Sequence, residues 1–119
     1  MERYVEGDLS IEVTKESDAY RLAWRGKSSA RDPGATLHPF FERVAGAAKD
    51  ANIGVELRLN ELEYFNSSTL AAIIRAIRKF RAQGTHVVVS YAQASGWQRR
   101  SCEALRVLED DGVMKVRGD

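Results

Sequence analysis

Apolar and polar residues recur along this chain with two different periods, and each change of period marks a boundary between predicted elements. Alternation over residues 9–14, which resumes at Tyr20 after the polar stretch Glu16-Ser17-Asp18, predicts a β-hairpin over 9–25, because successive side chains of a strand point to opposite faces. Apolar residues spaced three or four apart predict helices, and short apolar runs between them predict strands. The later elements are a helix over 36–51, a strand over 53–59, a helix over 67–83, a strand over 85–91, a helix over 97–110 and a strand over 113–117.

The element order β-β-α-β-α-β-α-β predicts an α/β fold in which helices pack on a mixed β-sheet. With 119 residues the chain has room for one domain, so we expect residues 1–119 to form a single unit. Residues 26–34 are rich in turn formers and predict an exposed loop, and Pro39 is expected in the first turn of the following helix.

Composition narrows the classes of function. Hydrophobic residues make up 44% of the chain and charged residues 29%, which is typical of a folded domain, and a net charge of +1 argues against a nucleic-acid partner. The charged N-terminus predicts no signal peptide, and no apolar run is long enough to predict a membrane span. The single Cys102 fits a reducing compartment, so we expect a cytoplasmic protein without metal or other cofactor.

Catalytic motifs find little support. Gly26-Lys27-Ser28 resembles the end of a phosphate-binding loop, but Arg21 stands where that loop needs its first glycine. His38 and His86 lie beside apolar residues, without a carboxylate or serine at a spacing that suggests a proton relay. We therefore predict no catalytic residues and no enzymatic activity.

The most informative segment is Asn66-Ser67-Ser68-Thr69, where a predicted strand ends and a helix begins. The first turn of a helix has unpaired N–H groups and the positive end of the helix dipole, which would stabilise a phosphate attached there. Three hydroxyls in a row exceed what capping requires. The segment therefore predicts a phosphorylation site, although its residues are also ordinary helix caps.

The residues Val55-Glu56-Leu57-Arg58-Leu59, followed by the stretch 62–70, resemble the central motif of STAS domains, the anti-sigma factor antagonists and their relatives. That motif is an apolar strand, a turn and Asp-Ser-Ser-Gly-Leu at a helix start. The resemblance implies a STAS-like fold and a bacterial regulator of partner proteins, with Ser67 phosphorylated by a partner of the protein kinase or anti-sigma factor class and dephosphorylated by a Ser/Thr phosphatase. It places partner binding at Asn66, Ser67, Ser68 and Thr69.

Asn66 replaces the aspartate of that motif and Thr69 its glycine, so Ser68 and Thr69 are alternative acceptors. An asparagine followed by hydroxyls also resembles a STAS-like subgroup that regulates a diguanylate cyclase, which makes such an enzyme the alternative partner. Two other interpretations stay open: a domain that binds a nucleotide or other anion at this helix start, and an interaction module in which the segment only caps the helix.

The predicted helix over 67–83 carries four basic residues, Arg75, Arg78, Lys79 and Arg81. Charges opposite an apolar stripe are usually the solvated face of an amphipathic helix, and we favour that interpretation. An acidic partner surface is the alternative.

Overall fold

The computed structural model describes residues 2–110 and 112–119, in which helices pack against one β-sheet. The elements are β1 (Arg3–Glu6), β2 (Leu9–Lys15), β3 (Ala19–Ser28), α1 (Gly34–Ala51), β4 (Gly54–Phe65), α2 (Ser67–Ala82), β5 (Val87–Tyr91), α3 (Gly96–Glu103), a 3-10 helix (Ala104–Leu108) and β6 (Met114–Gly118). The predicted α/β class with a mixed sheet is confirmed, with one more strand than the predicted order contains.

The strands lie side by side in chain order, from β1 at one edge to β6 at the other. The first three pair antiparallel, whereas β3, β4, β5 and β6 are parallel to one another. Crossovers between parallel strands are right-handed, and here all three advance in the same direction across the sheet. The three connecting helices are therefore expected on one face of the sheet.

Side-chain burial distinguishes the two faces. Leu57 and Val89 are paired in register and fully buried beneath the helices. On the opposite face the carboxylate of Glu56 lies 3.6 Å from Arg58 and 3.5 Å from Arg117. Apolar contacts thus hold the helices against one face of the sheet, while the other face carries ion pairs and is exposed to water.

The first strand, β1, is a correction to the predicted order. Its four residues are too few to show a period. Only Tyr4 points into the core, where its ring centroid lies 5.1 Å from that of Phe40 and its hydroxyl bonds to Thr36 Oγ1 at 2.6 Å. These partners lie far along the chain, so local sequence could not reveal the strand.

Strands β3 and β4 both extend past their predicted ends, and this forms the site described below. The segment 26–34 was predicted to be an exposed loop, but β3 continues to Ser28, which pairs with Phe65 and is only 3% exposed. Strand β4 runs six residues beyond the predicted end at residue 59. A register irregularity lets the polar pair Asn60-Glu61 interrupt the alternation without ending the strand.

Two helix boundaries also differ from the prediction. Helix α1 begins at Gly34, two residues early, so Pro39 lies inside the helix and not in its first turn. Because Pro39 has no N–H, the carbonyl of Ala35 has no helical hydrogen-bond partner. Ala35 is exposed, so water can bond to this carbonyl instead.

The third helix was predicted over 97–110, but α-helical winding ends at Glu103 and continues as a short 3-10 helix. The buried residues of this segment are Gln98, Cys102 and Leu105. Beyond Glu103 the apolar side chains do not share a face.

Candidate functional site

The candidate site lies where β4 ends and α2 begins, at the edge of the sheet where the carboxyl ends of β3 and β4 meet. The N–H of Asn66 donates to the carbonyl of Ser28 at 3.0 Å, which holds the junction against the end of β3. Ligands and partners of open α/β sheets commonly bind at the carboxyl ends of parallel strands. The predicted segment thus occupies a favourable place.

Asn66 is the N-cap of α2, in an extended conformation with φ −88° and ψ 175°. Its Oδ1 accepts hydrogen bonds from the N–H and the hydroxyl of Thr69, both at 2.9 Å. Its Nδ2 donates to the carbonyl of Ala30 at 2.9 Å. An aspartate could cap the helix equally well but has no donor for Ala30, so asparagine adds a tie to the β3–α1 loop.

Thr69 belongs to the core of the junction. It is 0% exposed, and its hydroxyl lies 2.6 Å from that of Ser28. Because Thr69 gives its single hydroxyl proton to Asn66, the Ser28 hydroxyl must be the donor in the second bond. Thr69 therefore has a packing role, and a modifying enzyme could not reach its oxygen in this conformation.

Ser67 and Ser68 occupy the first two positions of α2, and both are exposed. In the described part of the chain neither hydroxyl makes a side-chain hydrogen bond. Asn66 supplies the capping oxygen, so these two serines are not required to cap the helix. They present hydroxyls beside the free N–H groups of the first turn, where the helix also carries no acidic residue.

Replacement of Asn66 tests which residue holds the junction together. We expect Asn66→Ala to lower the free energy of unfolding by about 1–2 kcal/mol, because the cap and the bond to Ala30 are both lost. Ser67→Ala is the matched control and should change it by less than about 0.5 kcal/mol. Chemical denaturation of the purified variants measures both values, and equal losses would contradict this description of the cap.

Gln98 supports the site from α3 and was missed by the sequence prediction. Its side chain is 2% exposed, its Nε2 donates to the carbonyls of Leu59 and Leu62 at 2.8 Å each, and its Oε1 accepts from the N–H of Ala92 at 2.7 Å. Strand β5 pairs with β4 only as far as Arg58, so β5 supplies no backbone partner to these carbonyls. The only sign of this role in the sequence is that Gln98 lies four residues before Cys102, which places both residues on one face of the helix.

The two histidines and the single cysteine do not belong to the candidate site at the start of α2. His86 is exposed and precedes β5, and His38 lies within α1. Burial raises the pKa of the Cys102 thiol to about 12, with a smaller contribution from the nearby Glu103. Among residues 2–110 and 112–119, no group of three His, Cys, Asp or Glu side chains is placed to hold a metal ion.

The raised pKa of Cys102 gives a direct test of core packing. At pH 8.5 up to about half of the thiol of an unfolded cysteine is ionised, but the buried thiol stays protonated. We expect a thiol reagent to modify the folded protein at least about a hundredfold more slowly than the urea-unfolded protein. Since the folded pKa is the higher one, this group should also lower stability as the pH rises above about 9. Equal labelling rates would contradict the burial.

Within the described residues, no helix has the length and apolar character needed to cross a membrane. No protein-family profile matches the sequence. No curated protein matches it either.

Two solved structures are similar in fold to this chain. A candidate anti-sigma factor antagonist from Thermotoga maritima is similar with a TM-score of 0.62 and 15% identity, covering 92% of this chain and 86% of the other. An uncharacterized protein of the DUF3478 family from Shewanella loihica, with a SpoIIAA-like fold, is similar with a TM-score of 0.52 and 16% identity, covering 100% and 92%. At such identities the likeness concerns the fold. The chain therefore has the SpoIIAA-like fold, in agreement with the STAS-like fold that the resemblance at 62–70 implied.

Proposed function

We propose that this domain is a phosphorylation-controlled regulator that binds a partner protein through the start of α2, in the manner of an anti-sigma factor antagonist. The fold is that of a candidate anti-sigma factor antagonist, which supports a regulator that acts by binding proteins. The proposal assigns the site to binding and gives it no catalytic step.

One observation carries the proposal: the hydroxyls of Ser67 and Ser68 are exposed and make no side-chain hydrogen bond within residues 2–110 and 112–119, while Asn66 performs the capping. If hydroxyls were present here only to cap the helix, one of them would hold the Thr69 N–H. The structure instead leaves two nucleophilic oxygens facing solvent at a helix start, where a kinase could reach them. Burial of Thr69 favours Ser67 and Ser68 as acceptors over the third hydroxyl.

The switch would act through charge. Phosphorylation adds about −1.5 to −2 charges, and the helix N-terminus returns only about 0.3–1 kcal/mol in favourable interaction. A partner that covers this surface would have to remove the phosphate from water, which costs more than that. The unmodified domain therefore binds and the phosphorylated domain does not, while the fold is unchanged.

An anti-sigma factor with kinase activity is the partner class that we propose, with a Ser/Thr phosphatase to reverse the modification. A diguanylate cyclase remains the alternative partner from the sequence, and no described contact favours it.

Phosphate mapping tests the proposal. Protein purified from its native cells under several growth conditions would be digested and examined by mass spectrometry. We expect a phosphate on Ser67 or Ser68 in at least one condition and none on Thr69. Absence of phosphate from the peptide spanning the junction in every condition would contradict the proposal.

A further inference from the structure

The exposed side of α2 extends the candidate site beyond the two serines. Ala71, Arg75 and Arg78 follow Ser68 at helical spacings of three, four and three residues, and all are exposed. These residues lie along one side of the helix, which we call the α2 stripe. The half-buried Leu70 and Ile74 lie along its side and add apolar surface.

The four basic residues of α2 are not equivalent. Lys79 lies 2.9 Å from Glu42 of α1, and Arg81 lies 3.1 Å from Asp110. Among the described residues, no carboxylate lies within 4.0 Å of Arg75 or Arg78. The solvated-face interpretation accounts for the paired residues, while the two unpaired arginines leave the α2 stripe positively charged.

No acidic residue occurs anywhere in α2. At a rise of about 1.5 Å per residue, Arg75 lies roughly 10 Å and Arg78 roughly 15 Å from Ser68, against a screening length of about 8 Å at physiological salt. A phosphate on Ser67 or Ser68 would therefore act on any charged group that docks beside Arg75. The phosphate's charge of about −1.5 to −2 would oppose the attraction of Arg75 most, and that of the more distant Arg78 less.

We infer that the α2 stripe docks a carboxylate-bearing face of the partner protein, and that phosphorylation weakens this contact by opposing the attraction of Arg75 and Arg78. This inference rests on the proposed function and adds the partner's chemistry to it. An acidic protein face fits better than nucleic acid, because the stripe combines two cations with apolar side chains and the whole chain has a net charge of only +1.

The first step of the test is to find the partner at this surface. A photo-crosslinking residue at Ala71, in the middle of the stripe, would be introduced into the full chain in its native cells. Mass spectrometry would identify the captured protein, which would then be purified. Failure to capture any protein from cells that hold the unmodified domain would overturn the inference.

The second step measures affinity for the purified partner. We expect Arg75→Glu with Arg78→Glu to weaken binding at least about tenfold at low salt, with a smaller loss at high salt. Arg99→Glu with Arg100→Glu on α3 is the matched control, since both arginines are exposed and form no described ion pair. The control should change affinity by less than about twofold.

The outcomes separate the inference from the proposed function. Equal affinities for the two double variants would overturn the inference, even if Ser67→Asp still weakened binding and the proposed function stood. Loss with the α2 double variant but none with Ser67→Asp would instead contradict the switch. Equally tight binding of a 30-base-pair DNA duplex, with the same loss for the α2 variant, would overturn the assignment to an acidic protein.

Discussion

Replacing Ser67 with aspartate should weaken binding of the partner roughly tenfold or more, while Ser67→Ala should bind at least as well as the unmodified protein. Aspartate places a carboxylate at the first position of α2, where the described structure has an exposed hydroxyl. Because a carboxylate carries less charge than a phosphate, the loss should be smaller than that caused by phosphorylation. Alanine removes the acceptor without adding charge.

The alanine variant also provides a way to isolate the partner, because a kinase cannot switch it off at that position. A protein recovered with Ser67→Ala from native cells would be purified, and its affinity for each variant would be measured by calorimetry. Ser17→Asp is a matched control, since Ser17 is an exposed residue of the β2–β3 turn. If Ser17→Asp weakened binding as much as Ser67→Asp, the effect would not belong to the start of α2.

Stability measurements distinguish loss of docking from loss of fold. Ser67 makes no described side-chain hydrogen bond, so both Ser67 variants should unfold within about 0.5 kcal/mol of the original protein. An aspartate at a helix N-terminus is expected to stabilise slightly. A Ser67→Asp protein that lost binding because it unfolded would not support the proposed switch.

Replacing Gln98 with leucine should lower the free energy of unfolding by about 2–4 kcal/mol, which is the largest stability effect that we expect at a polar side chain. The side chain satisfies the carbonyls of Leu59 and Leu62 and the N–H of Ala92. Leucine fills a similar volume but leaves these buried groups without their partner. Each unsatisfied group costs about 1–3 kcal/mol, partly offset by the apolar side chain.

Chemical denaturation measures this loss. Arg100→Ala, on the same helix α3, is the control. Arg100 is exposed, so its removal should change stability by less than about 0.5 kcal/mol. The Gln98 variant should also disturb the junction, because Gln98 fixes the second half of β4 just before Asn66. Unchanged stability in Gln98→Leu would show that β4 does not depend on this amide.

The sequence predicted the elements whose own pattern is strong. The second helix was predicted over 67–83 from its apolar stripe, and α2 ends at Ala82. The second predicted helix was expected to begin at residue 67, and α2 begins there, although β4 continues to Phe65 where a turn was expected. In these places periodicity within one segment carries the information.

The missed features depend on partners far away in the chain. Strand β1 forms because Tyr4 packs against α1, and Ser28 is buried because it pairs with β4 and bonds to Thr69. The sequence around Gln98 does not distinguish it from a surface glutamine, because its partners are carbonyls of β4. A single sequence shows the polarity of such residues but not the groups that satisfy them.

The candidate site follows the same rule. The sequence located the hydroxyls correctly, but it could not distinguish Thr69, which is buried, from the two serines, which are exposed. Nor could it show that Asn66 alone performs the capping. These long-range contacts turn a run of similar residues into one structural and two accessible positions.

The most direct test compares partner binding by one preparation of protein before and after dephosphorylation. Protein carrying genuine phosphoserine at position 67 would be titrated with the purified partner, treated with a Ser/Thr phosphatase and titrated again. We expect roughly a hundredfold gain in affinity on removal of the phosphate, with unchanged circular dichroism. Equal affinities before and after treatment would contradict the claim that charge at the start of α2 controls docking.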